Sequence, residues 1–473
     1  MRSERKEEVQ GQVLRTAAAD KEIRLHAQAE GAARLPESVL YDVLGIGIGP
    51  FNLGLAALLQ KTPRIQSLFV DQKTRFDWHA GMLIEGTTLQ VPFFADLVTM
   101  ADPTNPLSFL NYLHEQGRHY AFYFLEKFHI PRREYNEYCR WAAGKLPSCQ
   151  FGMEARDVRL DSSGSESVFE VDVYDTASGE TRTYRTRNLA LGVGSVPSVG
   201  ERFRTHLGES VFHSADFMNK LEQCRRAKSV TVIGSGQSAG EIFLRLLQEQ
   251  EACGYRLDWF TRSAGFFPME YSKLGLEHFS PDYTNYFYQL PQAVKDEIRE
   301  GQALLYKGIS AATIADIYDA LYEASVGGKE LAVRLLASTE VRNIKPVSGE
   351  KSEQVRLTCR HLIQDEHFTH DSDVVIFATG YTHTIPRCLG SLQDLIRWDS
   401  AGRYEVGGDY KLALKEELAN SIYIQNGELH THGVGAPDLG LGAHRNSVII
   451  NSLAGETVYP VRERNVFQQF GIR

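Results

Sequence analysis

The chain has 473 residues, 42% hydrophobic and 23% charged, so it is long enough for two or three domains with sizeable cores. Fifty-one Lys and Arg stand against 60 Asp and Glu, and a net charge of −9 excludes a protein built to wrap nucleic acid or dock on anionic lipid. No apolar run reaches the 18 residues or so of a membrane-spanning helix, so none is predicted.

In chain order, residues 1–40 are polar and rich in Ala, Glu and Arg. They read as a surface extension without chemistry. The first twenty carry charge throughout and lack the apolar centre of a secretory leader. From Tyr41 the pattern changes. YDVLGIGIGPFNLGLAALLQ reads as strand, glycine turn and helix, and SLFVDQ as a second strand, together a β-α-β unit. A loop-rich stretch of aromatics and prolines follows, then a helical run through Trp141. SVFEVDVYDTASGETRTYRTRNLALGVG predicts a hairpin turning at Ser178-Gly179. SVTVIGSGQSAGEIFLRLLQ and LDWFTRS repeat the β-α-β pattern. Later come irregular and helical residues 265–330, a strand pair (EVRNIKPVSG, EQVRLTCRHL), an apolar strand in DSDVVIFATG, and a tail of strand, glycine-rich loop and closing helix. The expected organisation is α/β, with two Rossmann-like dinucleotide-binding domains and a small, mostly helical substrate region. One nucleotide domain spans 41–225 and resumes at 375–473; the other, with a substrate-lining insertion, spans 226–374. Six cysteines (Cys139, Cys149, Cys224, Cys253, Cys359, Cys388) are scattered with no CxxC pair, which predicts reduced thiols in a cytoplasmic protein and no zinc site.

Gly47-Ile48-Gly49-Pro50-Phe51-Asn52 is a GxGxxG variant ending in Asn. Gly47 permits the turn, Gly49 lets backbone approach a pyrophosphate, and the helix from Pro50 aims its N–H groups at the phosphates. The Asn52 amide is a candidate phosphate or ribose ligand. Asp71, at the end of the second strand, stands where a carboxylate accepts ribose hydroxyls. Alone, the glycines signal only a tight turn; in this setting they predict nucleotide binding. The second motif, Gly234-Ser235-Gly236-Gln237-Ser238-Ala239-Gly240-Glu241, is followed by a strand ending in Thr261-Arg262-Ser263 with no acid. An Arg at that tip suits a 2′-phosphate, which predicts NADPH. The acid-bearing first site suits FAD. Without a CxxC relay, the electrons must go to dioxygen or an external carrier.

From about Tyr41 to Leu453 the sequence resembles the class B flavin-dependent N-hydroxylating monooxygenases of siderophore biosynthesis, the lysine, ornithine and diamine N-monooxygenases. The resemblance rests on GIGPFN, WHAGM, LQVPFFADLVTMADPTNPLSFLNYL, REYNEYCRWAA, GSGQSAGE, ATGY and HGVGAPDLGLGAHRNS. It implies that Trp78 to Gly86, with His79 and Met82, lie against the isoalloxazine and that Gln90 hydrogen-bonds it. It implies that Asp438, Leu439 and Gly440 close over FAD, that Ser235, Gly236, Gln237, Ser238 and Arg262 hold NADPH, and that Gly308 to Ser310 approach the nicotinamide. The implied reaction reduces FAD with NADPH, traps O2 as a C4a-hydroperoxide and transfers oxygen to a neutral primary amine. The resemblance also implies a homo-oligomer, dimer or tetramer. It names no catalytic side chain and no metal.

The sequence departs from the ornithine hydroxylases of this family at three anchors. Their carboxylate-pairing Lys falls on Ala95, a polar Asn on Leu276, and a late-loop Ser near Leu441. A buried carboxylate without a cation costs several kcal/mol, so the expected substrate is a plain diamine, putrescine or cadaverine. Glu277 and Asp96 are the nearest carboxylates in sequence for its distal ammonium. The alternatives are an L-lysine N6-hydroxylase with its cation elsewhere, a Baeyer–Villiger or sulfur monooxygenase, and a non-catalytic nucleotide-binding protein.

Overall fold

The computed structural model describes residues 34–347 and 354–472. Most of the N-terminal extension expected at 1–40 lies outside these residues. Two parallel-cored sheets form the frame, each built around one glycine-turn unit.

The first sheet runs Cys149–Phe151, Ser67–Asp71, Leu40–Ile46, Thr181–Leu191, Val168–Asp175, Met153–Asp161. The strands beside the glycine turn are parallel, and the predicted hairpin adds the antiparallel edge. Gly179, with φ +75°, makes its turn. Far along the chain, Ile422–Ile424 returns as a parallel strand on Thr181–Leu191. Leu40–Ile46 is almost continuously buried, as a strand covered on both faces must be.

The second sheet is wholly parallel, in the order Val333–Leu336, Arg256–Phe260, Ser229–Ile233, Val374–Phe377, Val211–His213. Its membership corrects the expected boundaries at 226 and 375. Val211–His213 precedes the expected start, and Val374–Phe377, placed at the boundary, pairs with Ser229–Ile233. Parallel pairing is non-local, so a strand's apolar run reveals its existence and not its sheet. The late strand pair is present with a third partner, Glu366–Ser372. Two short strands, Val196–Pro197 and Tyr381–Thr382, pair where the chain passes between the units.

Asn52 ties the first unit together. It is fully buried, and its Nδ2 donates to Gly47 O (2.8 Å) and Ala190 O (3.1 Å) while its Oδ1 accepts from Gln425 Nε2 (2.8 Å). One amide therefore joins the glycine turn, the central strand and the returning tail. Gly47 sits at φ +86°, and a β-carbon there would lie 2.5 Å from Gly192 O. The turn needs glycine on both counts.

A helical block built from Pro281–Gln289, Gln292–Gly301 and Leu429–His432 packs around Tyr283, Phe287 and Val434. It supports the glycine-rich loop 433–442. Among the described residues no helix is long and apolar enough to cross a membrane, and no cluster of His, Cys, Asp and Glu could hold a metal ion.

Candidate active site

Both glycine turns end at a helix start that the protein leaves uncapped by side chains. Gly49 is the N-cap of Pro50–Leu59 at φ −85°, and Gly236 the N-cap of Gln237–Cys253 at φ −95°. Neither angle requires glycine. A β-carbon at Gly49 would meet nothing closer than Gly192 O at 3.9 Å, and at Gly236 nothing within 4 Å. The protein itself does not need these two positions bare; an anion approaching the helix N–H groups does. Asp71 Oδ2 accepts from Ile48 N (2.8 Å) and Oδ1 from Lys73 N (2.9 Å). It braces the turn and retains lone pairs for ribose hydroxyls. Asn52, by contrast, is sealed inside and fully engaged, which corrects its expected role as a direct ligand.

Between the two units lies a seam of aromatic and polar groups. Trp78 meets Tyr135 edge-on, with centroids 5.3 Å apart, and His79, in a left-handed conformation at φ +50°, lies 5.2 Å from the Tyr381 ring. Gln90 Oε1 accepts from the Tyr271 hydroxyl (3.3 Å), while Gln90 Nε2 is buried without a partner. Such an orphaned donor is costly unless a ligand acceptor meets it, and this fits the flavin contact expected of Gln90. Met82 corrects an expectation. Its side chain is 2% exposed and belongs to the core of the second unit, with Phe217 and Ile242.

The loop at 438–440 closes over Ala95. Asp438 Oδ1 accepts from Gly440 N (2.7 Å), and a β-carbon at Gly440 would lie 3.9 Å from the Ala95 methyl. Leu439 packs on the core beneath Phe51 and Leu97. Burial pushes the Asp438 carboxyl up to about 6 against the pull of Gly440 N–H and Arg445. Ala95 and Leu441 are buried as expected of apolar lining, whereas Leu276 is 39% exposed and stands apart from that lining.

Both carboxylates proposed for the distal ammonium are already engaged. Asp96 is buried and accepts from Val98 N, Thr99 N, Thr99 Oγ1 and Phe109 N at 2.6–3.0 Å, capping its own loop. Glu277 accepts from Phe467 N (3.2 Å) and Gln468 N (2.9 Å), fastening the C-terminal segment.

On the second unit, Arg262 is exposed at the strand tip, and Ser263 Oγ donates to Ser235 Oγ (2.9 Å), joining that tip to the glycine turn. Ser238 lies half-buried in the first turn of its helix. Gln237, Gly308 and Ser310 also take part in the loop's own construction. Gln237 Oε1 accepts from Ser310 N (2.6 Å), and its Nε2 donates to Glu241 and Thr313. Ser310 caps Ala311–Ala324. Gly308 is bare because a β-carbon would lie 2.7 Å from Met269 N.

Two buried ion pairs went unread in the sequence. Arg132 meets Glu241 at 2.9 Å, and Arg445, beneath Phe51, meets Glu428 at 3.0 Å. Charged residues inside otherwise apolar motifs were the available signal, but no local pattern assigns partners so far apart in the chain.

The family profile described as L-lysine 6-monooxygenase/L-ornithine 5-monooxygenase matches residues 39–383. The chain is 46% identical over 440 residues to the rhizobactin siderophore biosynthesis protein RhbE of Rhizobium meliloti, covering 91% of this chain and 95% of that protein. It is 41% identical over 434 residues to a putrescine N-hydroxylase of Shewanella oneidensis, covering 92% and 85%. Among solved structures it is similar to DfoA, a cadaverine monooxygenase of Erwinia amylovora bound to FAD, with a TM-score of 0.87 and 38% identity over 92% of this chain and 99% of that one.

The Asp438 environment carries a pH signature. An unfolded aspartate releases its proton near 3.8, and this one near 6 in the folded state. The folded chain therefore binds the extra proton between these values, and stability falls as pH rises through that window. Asp438→Asn in the ligand-free protein removes that slope. Urea unfolding is expected to show it more stable than the parent above pH 6, by up to about 3 kcal/mol, and level with it below pH 4.

Proposed function

Because the chain belongs to the L-lysine 6-monooxygenase/L-ornithine 5-monooxygenase family, we infer that it N-hydroxylates one primary amine of an aliphatic diamine, putrescine or cadaverine, in hydroxamate siderophore biosynthesis. The observation that carries the substrate choice is that Ala95 and Leu441, at two of the expected polar anchor positions, are buried apolar side chains. Arg132 lies against Glu241 and Arg445 against Glu428. Lysine or ornithine would set a carboxylate against these apolar side chains, at a cost of several kcal/mol unless a cation met it. A diamine brings no carboxylate. The relatives named as a putrescine N-hydroxylase and a cadaverine monooxygenase support the same reading.

The reaction balances as amine plus O2, NADPH and a proton giving hydroxylamine, NADP+ and water. Bound FAD supplies the redox chemistry, taking reducing equivalents from NADPH and activating dioxygen for transfer of one oxygen to nitrogen. Gly47, Gly49, Pro50 and Asp71 would hold its phosphates and ribose, and Gln90 with the 438–440 loop its ring end. Ser235, Gly236, Ser238 and Arg262 would hold NADPH, with Arg262 on the 2′-phosphate. The chain's own contribution is the environment of the amine. An alkylammonium in water holds its proton to about pH 10.4. Trp78, Ala95, Leu439 and Leu441 offer apolar walls, which favour the neutral nucleophilic amine and keep water out. With Asp96 and Glu277 engaged, Asp438 is the bordering carboxylate that keeps acceptor capacity for the distal ammonium.

The six free cysteines, five of them buried, support work in the cytoplasm. Self-association is supported by the helix His119–Leu125, which buries none of its residues. Tyr120, Tyr123 and Phe124 are each at least 70% exposed, and Leu110 and Phe128 extend the apolar face. Aromatics carry about 150–250 Å² each, so the patch approaches the roughly 800 Å² per partner of a stable interface.

Comparing cadaverine, putrescine, lysine and ornithine for hydroxylamine formation, with hydrogen peroxide followed in parallel, decides the substrate. At least one diamine is expected to be turned over with little peroxide; turnover of lysine with both diamines inert would defeat the reading. Arg262→Ala is expected to raise KM for NADPH about tenfold or more and to leave KM for NADH nearly unchanged; equal effects would show that Arg262 does not read the 2′-phosphate. Light scattering on the purified protein should give a dimer or tetramer mass, reduced in a Tyr120→Glu/Phe124→Glu variant. A parent monomer would remove the proposed interface.

A further inference from the structure

The buried pair Arg132–Glu241 joins the two nucleotide units. Arg132 opens the helix Arg132–Ala143, which packs on the first unit. Glu241 lies in the second turn of Gln237–Cys253, whose N-terminus is the phosphate-facing end of the second unit. Arg132 Nη1 and Glu241 Oε2 are 2.9 Å apart, with side chains 15% and 3% exposed. Glu241 Oε1 accepts from Gln237 Nε2 (2.9 Å), and Gln237 in turn holds Thr313 and Ser310 N. One guanidinium of the first unit is thus wired to both the glycine turn and the 308–313 loop of the second.

Besides the Tyr271 hydroxyl bond to Gln90 Oε1 (3.3 Å), the other contacts between the units are short. Ala80–Met82 lies so close to Ser214–Asp216 that a β-carbon at Gly81 would sit 1.7 Å from Ala215 O. Met82 and Ile84 enter the second unit's core. Tyr381 meets both His79 and His213 edge-on, each 5.2 Å away. Apolar and ring contacts of this kind hold surfaces together but tolerate sliding. A close ion pair largely withdrawn from water does not, because either charge left alone in the interior is strongly penalised. The charge of Arg132 also acts on His79, Tyr271 and Tyr381.

We propose that Arg132 and Glu241 form an interdomain latch that fixes the NADPH-binding unit against the FAD-binding unit, so that reducing equivalents go to amine oxygenation and do not escape as hydrogen peroxide. Both are positioning residues. The proposal rests on reading the two glycine-turn units as FAD and NADPH sites. When the latch is open, the balance is NADPH plus a proton plus O2 giving NADP+ and H2O2, with no amine consumed.

The test is a double-mutant cycle of Glu241→Gln, Arg132→Gln and the double variant, on FAD-loaded protein checked for flavin content and thermal midpoint. The readouts are NADP+ affinity by calorimetry, amide hydrogen exchange at 80–84 and 214–216, and the ratio of peroxide to hydroxylamine. Each single variant is expected to weaken NADP+ binding about tenfold, to speed exchange at both seam segments and to raise the peroxide share, with KM for the diamine within about twofold of the parent. The double variant, which leaves no orphaned charge, is expected to lie closer to the parent than either single. Additive losses in the double variant, or seam exchange unchanged in both singles, would overturn the latch. Failure of the parent to bind NADP+ would instead overturn the functional reading; the seam exchange needs no nucleotide and decides the latch by itself. If Arg132→Gln fails to retain flavin, Glu241→Gln and Glu241→Asp carry the same comparison, with the shorter acid expected to fall between Gln and the parent.

Discussion

The rule that a buried charge must be matched governs this protein at two levels. A guanidinium or carboxylate withdrawn from water is tolerable only beside its complement. The Arg132–Glu241 and Arg445–Glu428 pairs obey that rule. Both arginines already face an acid, and the buried Ala95 offers no positive charge in their place. Substrate selection and architecture are then two consequences of one constraint: the cations that fasten helices and loops together are the ones that cannot also grip a carboxylate.

The Asn at the end of the first glycine motif shows how a departure from a motif can strengthen a fold. A glycine at position 52 would allow close helix–strand packing and nothing more. Asn52 fills that place and bonds the turn, the central strand and the returning tail. The tail must be held because it carries the loop at 433–442. Arg445, stacked on Phe51 at 4.7 Å and paired with Glu428, fastens the same loop from its other side. Residues hundreds of positions apart are thereby made into one wall.

What was legible in the sequence was local. Strand, turn and helix appear wherever periodicity and glycine spacing speak, so both nucleotide units and the hairpin at Ser178-Gly179 follow from short windows. The sheet to which Val374–Phe377 belongs does not, since its partners Ser229–Ile233 and Val211–His213 lie more than a hundred residues earlier. The same limit explains the site. Gly49 and Gly236 cap their helices and Asp71 ends its strand, as short windows predict. Asp96 and Glu277 were chosen for nearness in sequence, but each is engaged by backbone donors that no pattern announces. Met82 sits within a motif directed at a cofactor, yet a one-turn helix carries it into the neighbouring core.

Position 95 therefore cannot be understood alone. A lysine there would add a cation beside Asp438, whose carboxyl is held near 6 because burial disfavours its charge. The new ammonium would draw that carboxylate into an ion pair before any substrate arrived. An amino acid would then have to break this pair to bind, and the exposed Leu276 offers no polar replacement. Selectivity between a diamine and an amino acid is consequently a property of the whole charge ledger of the cleft, in which Ala95 contributes by leaving Asp438 unpaired for the guest.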